Sequence, residues 1–382
     1  MRLDVFEMER LQSTWENRVK FNLSESSVHP MSTRDLISDP DFLEHLIDTP
    51  LAYNQSNGTD ELRTALAALY PGATLDNVEV TNGGSEANFV SVYATLQPGD
   101  EVIVVLPNYG QIWGLVNSLG MKVKSISLRE KRKWAPDLDE LEAAASRKTK
   151  MIVVCNPNIP TGAILTEAEM DAFVRVAARS GAWLLADEIY QGSERDGKTT
   201  PTFWGKYDRV IVTNGLSKAY GLPGLRIGWI VAPKDLIAKM WACHDYSTIA
   251  PGTLSDTLAR VALSSGGRNR CLERTRSICR NNFPLFQEWM ESHGSMFRMV
   301  EPRAGAIAYV HYDLPVNSTE LVMRLLNEKS VLIVPGDHFG MDGYLRIGYG
   351  PPPDYLRQGL EHMHDLLAEV SPKRRATKSH SR

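Results

Sequence analysis

One lysine lies in a setting that suits covalent chemistry. Lys218 belongs to the stretch Gly215-Leu-Ser-Lys-Ala-Tyr-Gly-Leu-Pro-Gly-Leu-Arg-Ile-Gly-Trp229, between a β-rich run and a glycine-rich loop. A lysine amine in such a place can form an imine with an aldehyde cofactor. A surface lysine is the ordinary alternative, because most lysines lie in solvent, and this residue alone does not decide between the two.

An acidic residue ends an apolar run earlier in the chain. Asp187 follows Trp183-Leu-Leu-Ala and is followed three residues later by Tyr190. A carboxylate at the end of a buried strand is costly unless it meets a cation, and a protonated pyridine nitrogen would be such a cation. The alternative is an aspartate that caps a neighbouring helix.

A glycine pair opens a predicted helix after another β-rich run. In Thr81-Asn-Gly-Gly-Ser-Glu-Ala-Asn88 the free backbone amides and the helix dipole favour a phosphate, and Arg226 offers a bidentate charge contact to the same group. Tyr109, just after the run Glu101–Leu106, offers a flat ring for stacking on a heteroaromatic. A plain turn and a loop packing residue are the respective alternatives.

Short β-rich runs alternate with helix-like segments and would position these side chains. Such alternation predicts an α/β fold with a mostly parallel sheet, whose ligands bind at the carboxyl ends of the strands. After about residue 235 longer helices dominate. We expect a large domain over residues 45–275 and a smaller α+β domain over 1–44 and 276–370. The seven runs are Asn77–Thr81, Glu101–Leu106, Lys122–Leu128, Lys150–Asn156, Ala182–Tyr190, Asp208–Thr213 and Arg226–Ala232.

Taken together, these motifs resemble the pyridoxal-phosphate enzymes of fold type I, and specifically the class I/II aminotransferase family. The resemblance covers roughly residues 20–367 in consistent order, and its S-K-x-x-G-x-x-G-x-R-x-G stretch is highly specific. It implies a three-layer aminotransferase fold and pyridoxal 5'-phosphate as the cofactor. Within it, Lys218 would hold the cofactor and shuttle protons, and Asp187 would pair with the pyridine nitrogen. Tyr190 would bond the phenolic oxygen and Tyr109 would stack on the ring.

The resemblance also implies contacts to the phosphate, the substrate and a second subunit. Tyr53 resembles the tyrosine that reaches the phosphate of the neighbouring subunit, which implies a homodimer with shared active sites. Arg346 resembles the arginine that grips the substrate α-carboxylate, with a surface ion pair as its alternative. The other implied cofactor contacts are Gly84, Ser85, Glu86, Asn156, Ser217 and Arg226.

Two positions depart from the family pattern. Ile159 stands in Asn156-Pro-Asn-Ile-Pro-Thr-Gly162 where the family places an asparagine, and an isoleucine cannot donate a hydrogen bond to the phenolic oxygen. Tyr190 would then act alone, or Asn158 would shift to help. Gly215 stands where a serine or threonine commonly touches the phosphate. Neutral drift and a specialised reaction are both open explanations.

Several stretches favour the second explanation, because they resemble the capreomycidine-synthase type of this family, which performs elimination and ring closure. They are Ser24–His29, Leu216–Trp229, Asp245–Thr248 and Val331–Gly336. An amphipathic helix is expected over Val5–Val19, ahead of a segment at the substrate mouth. The predicted substrate contacts besides Arg346 are Glu16, Ser27, Val28, His29 and Tyr246, although a lone histidine is more often structural.

The sequence therefore predicts an enzyme that carries a free amino acid through an external aldimine and a quinonoid. An aminotransferase is the main hypothesis. A non-transaminating elimination, replacement or cyclisation enzyme is the alternative, since both reactions use the same motif residues. A third hypothesis, a cofactor-sensing regulatory module, has little support because no basic helix-turn-helix precedes the fold.

Composition is that of an ordinary enzyme. The 382 residues carry 42 Lys+Arg and 46 Asp+Glu, a net charge of −4, with 43% hydrophobic residues, which argues against disordered and nucleic-acid-coating proteins. The four cysteines lack metal-ligand spacing, so we expect no metal and a cytoplasmic location. No apolar stretch approaches the roughly 20 residues of a membrane helix. Residues 371–382 read as a disordered basic tail.

Overall fold

The computed structural model describes residues 3–37 and 39–370, so the predicted basic tail lies outside the described residues. Helices and strands alternate through the first two thirds of the chain, as predicted. The strands are β1 Phe21–Asn22, β2 Val78–Thr81, β3 Glu101–Leu106, β4 Lys122–Ser127, β5 Thr149–Cys155, β6 Trp183–Asp187, β7 Val210–Gly215, β8 Gly228–Val231, β9 Phe297–Met299, β10 Ile307–Tyr312, β11 Val331–Leu332, β12 Val334–Pro335 and β13 Tyr344–Gly348.

The helices are longest after residue 250, again as the sequence indicated. They are α1 Glu7–Trp15, α2 Thr33–Leu36, α3 Pro40–Ile47, α4 Asp60–Ala67, α5 Gly84–Thr95, α6 Gly110–Ser118, α7 Leu138–Ala144, α8 Glu167–Ser180, α9 Lys234–His244, α10 Thr253–Leu263, α11 Ser265–Ser292, α12 Ser318–Lys329 and α13 Pro353–Val370.

The seven predicted β-rich runs form one seven-stranded sheet in the order β2-β8-β7-β6-β5-β3-β4. Strand β8 is antiparallel to both its neighbours, and the other pairs are parallel. The central strands are apolar on both faces because helices cover both, which makes the three-layer α/β prediction correct. The carboxyl ends of β6 and β7 lie side by side, since Asp187 pairs in register with Thr213.

Local signals explain where the helices begin and end. Helix α8 begins at a capping box in which the Thr166 hydroxyl accepts the amide of Glu169, and it ends at Gly181 with φ 68°. Helix α5 begins at the second glycine of the predicted pair, because Gly83 with φ 93° makes the turn and the helix starts at Gly84. No helix in the described part is long and apolar enough to cross a bilayer.

A second, smaller assembly of strands is built from both ends of the chain. Strands β12, β13, β10 and β9 form an antiparallel sheet, and β1 pairs with β11 in parallel. Its separate apolar core includes Phe21, Phe283 and Leu345. Helix α11 runs without a break through the predicted domain boundary at 275/276, so that boundary stays a prediction. The expected N-terminal helix is present but shorter, as α1.

Candidate active site

A cavity of about 370 Å³ lies at the carboxyl ends of β6 and β7, under α1 and beside β13. It brings together ten of the side chains and backbone positions predicted from the sequence. These are Glu16, Gly84, Ser85, Tyr109, Asp187, Tyr190, Ser217, Lys218, Arg226 and Arg346. A larger and mostly apolar cleft of about 650 Å³ lies elsewhere, with Trp134 and Met299 in its wall, and contains none of these ten.

Lys218 follows β7 and presents its amine to this cavity. Its Nζ lies 3.4 Å from Oε1 of Glu25. Burial lowers the pKa of Lys218, but the negative charge of Glu25, with a smaller contribution from Tyr190, outweighs burial and raises it. The lysine is therefore held in place as one half of an ion pair before any ligand binds.

The Asp187 carboxylate and the Tyr190 hydroxyl both lie in the cavity, and each could bond to a polar atom of a bound ring. Burial raises the pKa of Asp187, and its carboxylate forms no ion pair in the described part of the chain. The hydroxyl of Tyr190 is buried without a hydrogen-bond partner among the described residues. Both atoms suit a pyridine ring that carries a cationic nitrogen and a phenolic oxygen.

The start of α5 is shaped to hold an anion. No side chain caps the helix at Gly83, so its first amides are free for a ligand. A side chain on Gly83 would collide with the Arg226 guanidinium, and one on Gly228 would collide with the backbone of residues 83 and 84. Arg226 Nη1 lies 3.5 Å from the Ser217 hydroxyl, which brings a cation and a donor to the same point.

Tyr109 and Arg346 are both held by the N-terminal segment. The Tyr109 hydroxyl donates to Glu9 Oε1 at 2.8 Å. Arg346 is 1% exposed and its Nη2 donates to the backbone oxygen of Ser24 at 2.5 Å and to Gln12 Oε1 at 3.3 Å. Burial lowers the pKa of this guanidinium. Helix α1 thus forms one wall of the site.

Two glutamates in that wall have pKa values displaced in opposite directions. Burial raises the pKa of Glu16, and the nearby charges of Glu25 and Glu9 add to the rise. Burial would also raise that of Glu25, but Lys218, hydrogen bonds from Ser27 and Ser26, and Arg346 lower it to about 2. The sequence motifs pointed to Glu16 as a substrate contact, but they pointed to neither Glu25 nor Glu9.

Some predicted residues lie outside the cavity lining. The Glu86 carboxylate accepts from the Asn82 amide and the Ser247 hydroxyl. Asn156 Oδ1 accepts from the Leu165 amide. Tyr53 and Tyr246 are 91% and 95% exposed, so this chain alone does not bring them to the site.

The predicted mouth segment supports the site from behind. The Ser27 hydroxyl donates to Glu25 Oε1 at 3.1 Å, Val28 is fully buried, and His29 Nδ1 lies 3.0 Å from the Gly350 carbonyl oxygen. None of the three is in the cavity lining. Their predicted substrate contacts stay predictions.

The two departures from the family pattern have different surroundings. Ile159 packs in an apolar cluster with Cys155, Tyr190 and Ile307. Asn158 does not shift to replace the missing amide, because it donates to the Pro107 carbonyl and accepts from the Thr161 hydroxyl. At Gly215 a Cβ would lie 3.0 Å from the Ile227 carbonyl oxygen, so a side chain there would require β8 to shift slightly.

The fold and this cavity define a pyridoxal-phosphate enzyme of fold type I. Residues 36–363 match the family described as aminotransferase class I and II, and the chain belongs to that family. Its cofactor is pyridoxal 5'-phosphate, and it acts on an amino acid.

Similar proteins include both aminotransferases and a cyclising enzyme. Capreomycidine synthase of Streptomyces vinaceus is 32% identical over 94% of this chain and 92% of that protein. Aspartate aminotransferase of Streptomyces avermitilis is 30% identical over 83% of this chain and 82% of that protein. A PLP-dependent aminotransferase from Streptococcus suis superposes with a TM-score of 0.91 at 30% identity, covering 98% of this chain and 100% of that one. The PLP-dependent cyclase OrfR has a TM-score of 0.88 at 27% identity, with 97% and 99% covered.

Proposed function

We propose that Lys218 forms the covalent bond to the cofactor aldehyde and then moves the proton at the substrate α-carbon. Asp187 would hold the ring nitrogen and Tyr190 the phenolic oxygen, while the start of α5 and Arg226 would bind the phosphate. Convergence of these atoms on one cavity supports the assignment. When bound, pyridoxal phosphate supplies an electron sink for charge at the α-carbon. Released as an amine, Lys218 is positioned as a base.

The substrate we propose is a free amino acid with a positively charged side chain. The observation that carries this proposal is that, besides Asp187, three glutamates line the cavity: Glu9, Glu16 and Glu25. Of these, only Glu25 forms an ion pair in the described part of the chain, with Lys218. A cationic side chain would pair with Glu16 and Glu9, whereas a neutral one would leave the partly buried Glu16 without a counter-charge.

Arg346 would bind the substrate α-carboxylate at the other end. Its Nη2 already donates to Gln12 and to the Ser24 carbonyl, and its Nε has no partner among the described residues. A bidentate carboxylate would take the place of the long Gln12 contact and occupy the free Nε. The distance between a cation at the glutamates and a carboxylate at Arg346 then selects the length of the side chain.

For the reaction, we propose elimination, replacement or cyclisation in preference to amino-group exchange. Transamination needs one base that moves a proton, whereas chemistry on the side chain needs further acid and base groups near it. Glu16, whose pKa burial raises, lines the cavity and would serve as one such group. The similarity to a capreomycidine synthase and to the cyclase OrfR supports the same choice.

Transamination is the second candidate. Several relatives are aspartate aminotransferases, and the groups that transamination requires, Lys218, Asp187 and Arg346, all line the cavity. The products distinguish the two reactions. Transamination releases a 2-oxo acid and leaves the amino group on the cofactor, whereas cyclisation or elimination loses a side-chain group and leaves the cofactor unaminated.

The test is to incubate the cofactor-loaded protein with single amino acids and identify the products by mass spectrometry. Arginine, lysine, ornithine and their analogues with a leaving group on the β-carbon are compared with norleucine, which has the length of lysine without its charge. We expect turnover only of cationic substrates, with ring or elimination products from the β-substituted ones. Preferred turnover of norleucine would contradict the cationic substrate. A 2-oxo acid that keeps the whole side chain, formed together with the aminated cofactor, would establish transamination.

The glutamates give a sharper version of this test. Glu16→Gln and Glu9→Gln should each raise KM for the cationic substrate about 10- to 100-fold, as expected for the loss of a charge-assisted contact. Glu7→Gln is the matched control, because Glu7 is an exposed glutamate of α1 outside the cavity lining. An unchanged KM in both cavity variants would remove the basis for a cationic substrate.

We also propose a homodimer with shared active sites. Tyr53 lines a surface cleft with the exposed Leu51 and Leu254, and the Thr253 hydroxyl donates to the Ala52 carbonyl oxygen. Mixed dimers of Lys218→Ala and Tyr53→Ala should recover part of the activity, since one shared site would then be intact. No recovery on mixing, together with a monomer in analytical ultracentrifugation, would contradict the proposal.

A cytoplasmic location is proposed from the cysteines. All four, Cys155, Cys243, Cys271 and Cys279, are free thiols, and none is highly exposed. A reducing compartment is consistent with this pattern. Fractionation of the source cells followed by immunodetection tests it, and recovery of the protein outside the cytoplasm would contradict it.

A further inference from the structure

Asn88 is a polar residue in the cavity wall to which the reaction assigns no task. It lies on α5, one turn after Ser85, and is 3% exposed. Its Nδ2 donates to Asp187 Oδ2 at 3.0 Å. The other oxygen of Asp187 accepts from the Ile189 amide at 3.1 Å. Each carboxylate oxygen of Asp187 therefore has one neutral donor, and Asn88 is the one that comes from a side chain.

Thr213 holds the oxygen end of the Asn88 amide. The Thr213 hydroxyl donates to Asn88 Oδ1 at 2.7 Å. The ionised carboxylate of Asp187 can only accept, so the amide nitrogen faces it, and the bond from Thr213 fixes the amide in this orientation. A second and longer acceptor, Gln111 Oε1, lies 3.5 Å from the same nitrogen. The three residues Thr213, Asn88 and Asp187 thus form a directed chain of hydrogen bonds.

The chain connects three elements of the fold. Asn88 comes from α5, whose first turn forms the anion site, and Thr213 and Asp187 are register partners on β7 and β6. Thr213 also stands five residues before Lys218. The Asn88 side chain therefore links α5, which would bind the phosphate, to β6, which carries Asp187, and to β7, which leads to Lys218.

We propose that Asn88, oriented by Thr213, is a positioning residue that aims the Asp187 carboxylate at the cofactor ring nitrogen and favours its ionised form. This rests on the proposed role of Asp187. A hydrogen bond to the charged form of a carboxylate stabilises that form, and an ionised Asp187 keeps the ring nitrogen protonated. The alternative is that Asn88 only fills space between helix and sheet, which a leucine of similar size would do equally well.

The test compares Thr213→Val with Thr213→Ser in the cofactor-loaded protein. Valine keeps the shape without the hydroxyl, whereas serine keeps the hydroxyl. The readouts are the cofactor dissociation constant and the pH dependence of its visible absorbance, neither of which needs turnover. We expect about tenfold weaker cofactor binding and a shifted pH titration in the valine variant, with near wild-type values in the serine variant.

Asn88→Leu should reproduce the effects of Thr213→Val. Ser91→Ala is the matched control, because Ser91 is buried on the same helix and its hydroxyl has no partner among the described residues. Should Asn88→Leu fail to fold, the threonine pair still decides the question. Wild-type values in Thr213→Val, or an equal loss in Thr213→Ser, would overturn the proposal. Lys218→Ala in the same assay separates this outcome from failure of the cofactor assignment, since that failure would leave the absorbance of Lys218→Ala unchanged.

Discussion

Nε2 of His244 lies 3.2 Å from Oε2 of Glu86, and Nδ1 of the same ring lies 2.9 Å from Oε1 of Glu79. The ring is fully buried. Burial lowers the pKa of His244, but hydrogen bonds and charge from the two carboxylates raise it to about 9. A buried imidazolium therefore joins β2 to the first turn of α5, the turn that would bind the phosphate. The contact with His244 also explains why the Glu86 carboxylate is turned away from the anion site, although its backbone lies in the first turn of α5.

Replacing His244 with glutamine should loosen this turn. Because the folded-state pKa of about 9 exceeds the ordinary 6.5, the stabilisation is complete below about pH 6.5 and is lost as the pH rises through 9. The melting temperature of wild type should fall more steeply than that of His244→Gln between pH 7 and 9. Cofactor binding by the variant should weaken about tenfold at pH 7. His45→Gln, at an exposed histidine, is the control, and parallel pH profiles would contradict the expectation.

Lys218→Ala should abolish the visible absorbance that depends on the bond between lysine and cofactor. It should also lower kcat by at least about 10³-fold, because the variant lacks both the covalent anchor and the base. Absorbance spectra and single-turnover kinetics measure the two effects. Lys206→Ala is the control, since Lys206 pairs with Asp171 outside the cavity. Full activity in Lys218→Ala would refute the assignment of the site.

Those parts of the fold that depend on local pattern could be predicted from the sequence. The runs around residues 101–106 and 149–155 are apolar on both faces, and such runs become central strands of a covered sheet. Errors were confined to element ends. The run predicted over Ala182–Tyr190 ends as a strand at Asp187, because the next residues turn to bring Tyr190 into the cavity.

The site could be predicted only where a motif carries several of its residues together. Glu25 was missed because its role depends on a contact with Lys218, 193 residues away. Asn88 was missed although it lies inside the glycine motif, since its partner Asp187 is 99 residues distant. Glu9 comes to the site only through the packing of α1 against Tyr109 and Arg346. No spacing rule encodes such contacts, but a charged residue shortly after a short strand is a usable signal, since Glu25 stands three residues after the end of β1.

Ile159→Asn should restore a hydrogen-bonding side chain near the phenolic oxygen of the cofactor. Ile159 now packs with Tyr190 and Ile307, so the cofactor oxygen lacks an amide donor from this loop. Stabilising the anionic oxygen should shift the pH titration of the bound cofactor toward lower pH by about one unit, the equivalent of one hydrogen bond. Spectral titration measures the shift, and Ile159→Val is the apolar control. An unchanged titration would show that the isoleucine has no electronic effect.

Glu188→Gln should make the protein less sensitive to alkali. Glu188 is 1% exposed, and one of its oxygens accepts from the Thr202 hydroxyl and the Phe203 amide. Burial raises its pKa to about 8, so the folded state keeps a proton that the unfolded chain loses near pH 4.5. Stability contributed by the protonated carboxyl is complete below about pH 4.5 and falls as the pH rises toward 8, by an amount on the order of 4–5 kcal/mol. Glutamine retains the accepting oxygen and does not titrate.

Melting temperatures at pH 5 and pH 8 should therefore differ less in Glu188→Gln than in wild type, and the exposed Glu167→Gln should behave as wild type. An equal difference between the two pH values in Glu188→Gln and wild type would mean that Glu188 is ionised in the folded protein over this range.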